Sequence, residues 1–191
     1  MFLSLSKIKL LPWSEQRGFS LIELVVAGGI MAILVGGGIA AFIRFNEKQQ
    51  VLGAARELQQ LMRSAQTKAR AREIPVGVLT CDVADDANRV VAYHVYAPQG
   101  AGVTALVVPI CGDSLNYSEP AAGDVTLGNS VLSFQLPSSV TLEDEIKLDF
   151  LALYGGIKNY NANETYRLTF GSYGMQFSIS EAGEIGDVSE I

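Results

Sequence analysis

Apolar residues are distributed unevenly along the chain, and the strongest feature is an uninterrupted run near the amino end. Residues 24–43 read LVVAGGIMAILVGGGIAAFI, 20 residues without a charge or a proline. At about 1.5 Å per residue, a helix of this length covers roughly 30 Å, the thickness of the bilayer's hydrocarbon core. A buried core helix is the alternative, but such helices are usually shorter and carry a polar stripe. The run therefore predicts one membrane-spanning helix.

The segment after the run alternates apolar and polar residues with a helical period. Its apolar positions recur at spacings of three and four and are Val51, Leu52, Ala55, Leu58, Leu61, Met62, Ala65 and Ala69. This spacing is typical of an amphipathic helix with one buried face. Together with the run it predicts one helix from about Phe19 to Ala71, which at about 1.5 Å per residue approaches 80 Å. The first half of such a helix needs lipid or other subunits, whereas the second half can pack on a sheet.

From Ile74 the pattern changes to short β-branched and aromatic runs separated by Gly, Asn, Asp and Pro. These runs predict strands at Pro75–Asp82, Arg89–Ala97, Val103–Cys111, Val131–Leu136, Ile146–Leu151, Thr165–Phe170 and Met175–Ser180. Loops are expected at 98–102, 113–128 and 154–163. A helix followed by an antiparallel sheet is an α+β fold.

Charges flanking the apolar run predict its orientation. Lys7, Lys9 and Arg17 precede the run, and basic residues tend to stay on the cytoplasmic side, so the carboxyl-terminal bulk is expected outside the cytoplasm. A secretory signal would have a small-residue cleavage site after the run, but none is clear after Ile43. We therefore expect the span to stay attached, in the inner (cytoplasmic) membrane, as a single pass.

The residues at the start of the run form a specific motif. Residues 17–26 read RGFSLIELVV, with a basic residue, Gly, Phe, a hydroxyl residue, two aliphatics and Glu in order. This sequence resembles the processing and methylation motif of type IV pilins and type II secretion pseudopilins. The resemblance implies that prepilin peptidase cuts after Gly18, that Phe19 is then N-methylated, and that the fold is pilin-like.

The resemblance also implies a division of the chain and a role for Glu23. The expected segments are a leader at 1–18, a transmembrane helix at 19–43, an amphipathic helix at 44–72 and a β-rich extracytoplasmic head at 73–191. An unpaired carboxylate in an apolar run costs about 2.5 to 3.5 kcal/mol at the bilayer centre and less near its edge, so Glu23 needs a partner. In the family that partner is the amino terminus of an adjacent subunit, here the amine of Phe19. The alternative is a Glu23 that reaches water at the membrane interface.

Two further stretches narrow the resemblance. Residues 54–70, followed by 74–79, look like the helix-to-first-strand passage of H-type minor pseudopilins, and residues 166–185 are similar to their two closing strands. Residues 83–163 resemble nothing that we can name. The proline usual in the second half of the apolar helix is missing, so any loosening there would fall to the glycines at 36–38.

Charge and composition exclude several other functions. The chain is 49% hydrophobic and has a net charge of −6, and beyond Ala71 five basic residues stand against sixteen acidic ones, a net charge of −11. Such an acidic surface does not favour nucleic-acid binding. His94, the only histidine, is expected to be structural, and Asp82, Asp85 and Asp86 are read as a solvated turn because they lack the EF-hand spacing. We expect no enzymatic activity, no catalytic residue, no cofactor and no metal.

The two cysteines are expected to form a bridge. Cys81 and Cys111 lie at the ends of predicted strands, beyond the membrane, where oxidation occurs. Closing a loop of this size would stabilise the head by about 3 to 4 kcal/mol in the chain-entropy model. The alternative is two buried thiols that act as small apolar side chains.

These observations predict a minor pseudopilin of a type II secretion pseudopilus, assembled through its N-terminal helix. Its expected partners are other pilin or pseudopilin subunits, prepilin peptidase and the inner-membrane assembly platform. A minor type IV pilin of an adhesion, twitching or DNA-uptake machine is the alternative within the same class. The alternative from another class of protein is a single-span sensor or ligand-binding protein, in which the likeness to the processing motif would be accidental.

Overall fold

The structure, a computed structural model, describes residues 18–74, 89–112, 117, 120, 125–158 and 164–191. It divides into two compact units, the first ending at Phe42 and the second comprising Ile43–Ile191. A single helix, α1, contains residues of both units and extends over Leu21–Ala71. In the first unit every described residue is exposed, whereas in the second unit one face of α1 is buried.

Side-chain and backbone hydrogen bonds fix both ends of α1. Ser20 precedes the helix and accepts a hydrogen bond at its Oγ from the backbone N–H of Glu23, over 3.2 Å, which satisfies one of the unpaired amides of the first turn. The helix therefore starts at Leu21 rather than at Phe19. At the other end Arg72 has a φ of 47°, and the N–H groups of Arg72 and Glu73 bond to the carbonyls of Ala69 and Lys68. This is the Schellman arrangement that ends helices.

Within the described residues, ten strands form two antiparallel five-stranded sheets, in the orders β4-β3-β1-β6-β7 and β10-β9-β8-β5-β2. The strands are β1 (Arg89–Ala97), β2 (Gly100–Ala101), β3 (Thr104–Gly112), β4 (Leu132–Gln135), β5 (Thr141–Leu142), β6 (Ile146–Leu151), β7 (Ile157–Lys158), β8 (Thr165–Phe170), β9 (Tyr173–Ser178) and β10 (Ser189–Glu190). The α+β fold is thus confirmed, with two sheets where one was predicted.

One hydrophobic core joins the second half of α1 to both sheets. Leu58, Met62 and Ala65 of the helix belong to the same buried cluster as Tyr93 and Phe150 of the first sheet. The second sheet adds its own buried residues to that cluster, among them Leu168, Met175 and Phe177. Burial of each large apolar side chain stabilises the folded second unit by roughly 1.5 to 3 kcal/mol. Packing of the amphipathic half of α1 on sheet residues is therefore what holds the second unit together.

Glutamines on α1 attach the helix to two tight loops. The Nε2 of Gln66 donates to the carbonyls of Gly155, at 2.9 Å, and of Gly183, at 2.8 Å. Both glycines have positive φ, 66° and 81°, and a Cβ built at Gly183 would lie 2.5 Å from that amide nitrogen. Only glycine combines this backbone conformation with so close an approach. Gln59 donates in the same way to the carbonyl of Gly186, at 2.5 Å.

Strand β1 is covered on both sides, which explains its imperfect alternation. Its pairing with β3 contains a bulge between Val90 and Ala92, so residues on either side of the bulge change faces. Tyr93 and Val95 point into the main core, whereas Val91 and Ala92 join a second cluster with Ile110. The loop predictions at 98–102 and 154–163 are wrong where β2 and β7 lie, and the first predicted strand, 75–82, lies outside the described residues.

Candidate processing and assembly site

The predicted scissile bond lies in exposed, non-helical backbone. Gly18, Phe19 and Ser20 precede α1 and have no regular secondary structure. A Cβ built at Gly18 would meet nothing within 4 Å, and Phe19 is 80% exposed. A peptidase needs accessible backbone outside regular secondary structure, and these three residues meet that requirement. The remainder of the predicted leader, residues 1–17, lies outside the described residues.

Glu23 occupies the third position of α1, which gives it a structural role that sequence analysis missed. Ser20 and Glu23 have the S-x-x-E spacing of a capping box, and the bond from the Glu23 N–H to the Ser20 Oγ is half of that arrangement. A carboxylate in the first turn also interacts favourably with the helix dipole. The signal was present in residues 20–23 as a capping pattern. Glu23 is therefore placed to stabilise the helix start.

The first half of α1 presents an apolar surface in every direction. Large apolar side chains stay more than half exposed along this stretch, among them Leu21, Ile22, Leu24, Val25, Ile30, Met31, Ile33, Leu34, Ile39, Phe42 and Phe45. An 18-residue window of the helix has a mean hydropathy of 2.3, and none of it is buried. By length and composition this helix could cross a membrane, although an N-terminal signal sequence would satisfy the same criteria.

The five glycines of this half leave open space along the helix. Cβ atoms built at Gly28, Gly29, Gly36, Gly37 and Gly38 would meet nothing within 4 Å. The helix is continuous through all five, so the missing proline is not replaced by a break at residues 36–38. Small residues in a membrane allow neighbouring helices to approach closely.

Comparison with known proteins identifies the motif at this site. Residues 13–39 match the family model described as the prokaryotic N-terminal methylation motif. The matched segment includes Gly18, Phe19 and Glu23 and is a type IV pilin-like or pseudopilin-like prepilin cleavage site. It supports a structural subunit of pilin-like or pseudopilin-like type, which together with the apolar helix fits a single-pass membrane protein. No curated protein and no solved structure matches the chain.

Only one of the two cysteines in the predicted disulfide lies among the described residues. Cys111 lies at the end of β3 and is disulfide-bonded. Cys81 lies outside the described residues, so the pairing of Cys81 with Cys111 stays a prediction. The acidic residues 82, 85 and 86 also lie outside the described residues. In the described part of the chain, no group of three or more His, Cys, Asp and Glu side chains could hold a metal ion.

His94 belongs to a buried polar cluster on the first sheet. Its Nδ1 lies 2.5 Å from Oδ1 of Asp149, and Oδ2 of Asp149 accepts a hydrogen bond of 2.9 Å from the Tyr117 hydroxyl. The Lys158 ammonium lies 3.6 Å from the Tyr117 ring centroid and donates to the Tyr117 carbonyl. His94 and Asp149 are 2% and 3% exposed, so a dissolved substrate does not reach them. The cluster satisfies buried polar groups and ties residue 117 to the sheet.

Proposed function

We propose that the chain is a minor pseudopilin of a type II secretion pseudopilus. In this proposal prepilin peptidase cuts after Gly18, Phe19 is N-methylated, residues 19–43 cross the inner membrane, and the processed helix enters a filament of pilin-like subunits through the assembly platform. The observation that carries the proposal is the methylation motif at residues 13–39, which ends in a fully exposed apolar helix. The likeness of residues 54–79 and 166–185 to H-type minor pseudopilins supports the finer assignment.

The exposed apolar surface supports assembly because it needs a cover. Leaving the apolar side chains of residues 21–45 in water would cost roughly 25 cal/mol of free energy for each Å² of exposed apolar surface. Lipid covers them before assembly, and neighbouring helices cover them within a filament. The second unit needs neither, since its own core buries the corresponding face of α1.

Glu23 and the Phe19 amine are proposed to pair between neighbouring subunits. Cleavage after Gly18 creates a positive amine four residues before Glu23. In a low-dielectric helix bundle the attraction between two opposite charges exceeds its value in water, although desolvation cancels part of it. The Glu23 side chain is exposed in the single chain, so its carboxylate would lose its solvation on assembly unless an amine replaced it. Pairing of this kind would set the axial register of the subunits.

The disulfide at Cys111 supports the proposed orientation. Disulfides persist in oxidising compartments and are rare in the cytosol. Cys111 belongs to the second unit, so its oxidation supports a position of this unit outside the cytoplasm. The basic residues Lys7, Lys9 and Arg17 on the opposite side of the apolar run agree with the same orientation.

Variants of Glu23 and Ser20 test the pairing against the capping role. Glu23→Gln removes the charge but keeps the length and the capping ability of the side chain, while Ser20→Ala removes only the cap. We expect both variants to be cut after Gly18 and to accumulate in the membrane. Glu23→Gln should enter the sheared filament fraction at least about tenfold less than the wild type, which corresponds to about 1.4 kcal/mol. Ser20→Ala should enter it normally.

Two outcomes would contradict the proposal. Unchanged incorporation of Glu23→Gln would remove the charge pair from the mechanism. Efficient removal of the leader from a Gly18→Leu variant would refute cleavage after Gly18, because a bulky side chain there should leave the full-length precursor. A secretion defect on deletion of the gene, with twitching and adhesion intact, would separate a pseudopilin from a minor type IV pilin.

A further inference from the structure

The turn between β8 and β9 lies beside the first residues of α1 in the second unit. Gly171 and Ser172 form this turn, and both are exposed. A Cβ built at Gly171 would lie 3.4 Å from Oε2 of Glu47, so the turn contacts the Glu47 side chain. Ile43 ends the apolar run, belongs to the same unit and precedes Glu47 by four residues, about 6 Å along the helix axis. Helix side chains lean towards the N-terminus, so the turn lies close to the end of the apolar run.

Two further contacts hold this end of the second unit at the same level of the helix. The Lys48 ammonium lies 2.6 Å from the Glu190 carboxylate, and Oγ of Ser139 donates to Oε1 of Gln50 at 2.8 Å. Three separate segments thus meet α1 within residues 47–50: the β8–β9 turn, the closing strand β10 and the turn before β5. Together they attach this end of the unit to the helix directly, without an intervening linker.

The surface at this level, which we call the base, consists of Arg44, Phe45, Phe170, Ser172 and Tyr173. Phe45 is 61% exposed, and Arg44 and Ser172 are also exposed. Phe170 and Tyr173 are Cα partners at the turn end of the β8–β9 pair, and both remain partly exposed. Aromatic rings and a long basic side chain at the end of an apolar span are typical of the membrane–water interface.

The two aromatic rings of the hairpin lie on its core side but extend beyond the core. Residues alternate across a strand, so Phe170 shares a face with Leu168, and Tyr173 shares a face with Met175. Leu168 and Met175 are buried in the core, whereas Phe170 and Tyr173 are only partly covered. The face of the second sheet that packs in the core therefore ends, at the base, in two incompletely covered rings.

The thickness of a bilayer places the base at the level of the lipid headgroups. A bilayer of roughly 40–45 Å contains about 30 Å of hydrocarbon, which leaves about 5 to 7 Å of headgroups on each side. With Ile43 at the edge of the hydrocarbon, Glu47 and the turn beside it lie about 6 Å farther out, within that layer. Membrane helices tilt by about 20° on average, which brings one side of the base closer still. The nearest neighbours of the base are therefore lipid headgroups.

We propose that the base binds the phospholipid surface of the membrane and seats the second unit on it before assembly. The rings of Phe45, Phe170 and Tyr173 enter the interfacial layer, and the Arg44 guanidinium binds a lipid phosphate through paired N–H donors. The contact fixes the depth and orientation of the unassembled subunit. This inference rests on the proposed function, because it requires residues 19–43 to cross the membrane.

The charges at this level favour no particular headgroup. Arg44 and Lys48 are positive, Glu47 and Glu190 are negative, and Lys48 is paired with Glu190, so the four charges sum to zero. Binding therefore comes from the rings and from the phosphate that all phospholipids share, rather than from attraction to anionic lipid.

Fluorescence quenching in lipid vesicles tests the contact in the full chain. The fluorescent residue is introduced as Ser172→acridonylalanine in the base or as Ala71→acridonylalanine at the exposed end of α1, about 36 Å farther along the helix than Glu47. The phosphatidylcholine vesicles carry a nitroxide on some of their headgroups. We expect quenching of the Ser172 probe by at least about twofold, since probe and nitroxide share a layer about 5 to 7 Å thick.

The control position and the lipid composition sharpen this test. The Ala71 probe should not be quenched, and replacing part of the lipid with phosphatidylglycerol should leave the quenching of the Ser172 probe unchanged. Equal emission from the Ser172 probe with and without nitroxide would overturn the inference. Quenching that occurs only with anionic lipid would contradict a contact made by the rings and a shared phosphate.

Paired substitutions separate the rings of the base from apolar surface elsewhere. Phe45→Gln with Tyr173→Gln should lower the quenching of the Ser172 probe at least about threefold, because two rings lose their contact with the interface. Leu153→Gln with Tyr154→Gln replaces side chains that are 54% and 75% exposed, beside the end of α1, and should leave the quenching unchanged. Equal losses in both pairs, or no loss in the first, would contradict the inference.

Folding of these variants is checked by far-ultraviolet circular dichroism. Phe45 lies outside the buried core cluster, so Phe45→Gln alone keeps the test valid if the double variant is less stable. It should lower the quenching in the same direction, by a smaller factor. Unchanged quenching in a folded Phe45→Gln variant would remove this ring from the contact.

A third probe position separates this inference from the proposed function. Ala40→acridonylalanine places the probe in the apolar run, where lipids brominated in their acyl chains should quench it. If the Ala40 probe is quenched but the Ser172 probe is not, the lipid contact of the base is wrong and the membrane-anchored role stands. If the Ala40 probe is not quenched, residues 19–43 do not cross the membrane, and the proposed function fails together with the lipid contact.

Discussion

Helix α1 contains residues of both units, but its apolar side chains are exposed in the first unit, whereas one face of the helix is buried in the second. Leu34, in the first unit, is 66% exposed, whereas Leu58, in the second, is fully buried. Both are leucines in the regular part of α1, so helix propensity does not distinguish them. The difference lies in what is available to pack: the second unit brings two sheets to its half of the helix, whereas the described residues of the first unit, 18–42, bring none. An apolar helix without its own core depends on lipid or on other subunits for stability.

The largest expected effect compares these two leucines directly. Leu58→Ala should lower the free energy of unfolding of the second unit by about 2 to 5 kcal/mol, because it removes buried methyl groups and leaves a cavity. Leu34→Ala should change it by less than about 0.5 kcal/mol. All seven tyrosines lie in the second unit, so tyrosine fluorescence during urea denaturation of the processed chain in detergent reports this unit alone. Equal effects of the two substitutions would contradict the division into two units.

An intermediate effect concerns the junction between the end of α1 and the first sheet. The Tyr93 hydroxyl donates to the Glu73 carbonyl at 2.5 Å, and burial, with a smaller contribution from the Glu73 charge, raises the pKa of Tyr93 to about 12. Below pH 10 the tyrosine is protonated in the folded and unfolded states alike. Between pH 10 and 12 only the unfolded chain releases the proton, so the free energy of unfolding should fall by up to about 2 to 3 kcal/mol.

Tyr93→Phe isolates this contribution. At pH 7 the variant should be about 1 kcal/mol less stable than the wild type, because the hydrogen bond is lost. Above pH 10 the gap should narrow and then reverse, since phenylalanine does not titrate. Unfolding followed by far-ultraviolet circular dichroism from pH 7 to 12 measures both curves. Parallel curves across that range would contradict the assignment of the raised pKa to Tyr93.

The smallest effect concerns the ion pair between α1 and the last strand. Lys48 lies 2.6 Å from Glu190, and their side chains are 40% and 50% exposed. Exposed pairs of this kind contribute about 0.2 to 1 kcal/mol and are screened by salt. A double-mutant cycle with Lys48→Met and Glu190→Gln should therefore give a coupling energy below about 1 kcal/mol that disappears in 1 M salt. A coupling above about 2 kcal/mol would show that the carboxyl-terminal strand depends on this pair.

Sequence predicted the long elements well because their periodicity is strong. Strands β1, β6 and β8 have the predicted bounds, and α1 ends at the predicted Ala71. Strands β2, β5, β7 and β10 have two residues each and are too short to show an alternating pattern. Without them the second sheet is reduced to β8 and β9, so the division into two sheets could not be predicted. These short strands depend on tertiary pairing rather than on local preference.

The residues of the candidate site were predicted from a motif, but the hydrogen bonds around them were not. The motif at residues 17–26 predicted Gly18, Phe19 and Glu23 as site residues, whereas the cap formed by Ser20 was not predicted. The pairing of His94 with Asp149 was equally hidden, since the two residues are 55 positions apart. The strand register, His94 opposite Asp149, brings them together. Long-range pairs of this kind follow from topology and not from local pattern.

The most direct test of the account is the chemical identity of the amino terminus of the protein in its own membrane. Edman degradation and intact-mass measurement of the chain isolated from the inner membrane should show N-methylated phenylalanine at position 19, followed by Ser20, Leu21 and Ile22. That result requires cleavage at the exposed Gly18–Phe19 bond and the chemistry of the methylation motif. A chain that still begins at Met1, or that begins after the apolar run, would contradict the account.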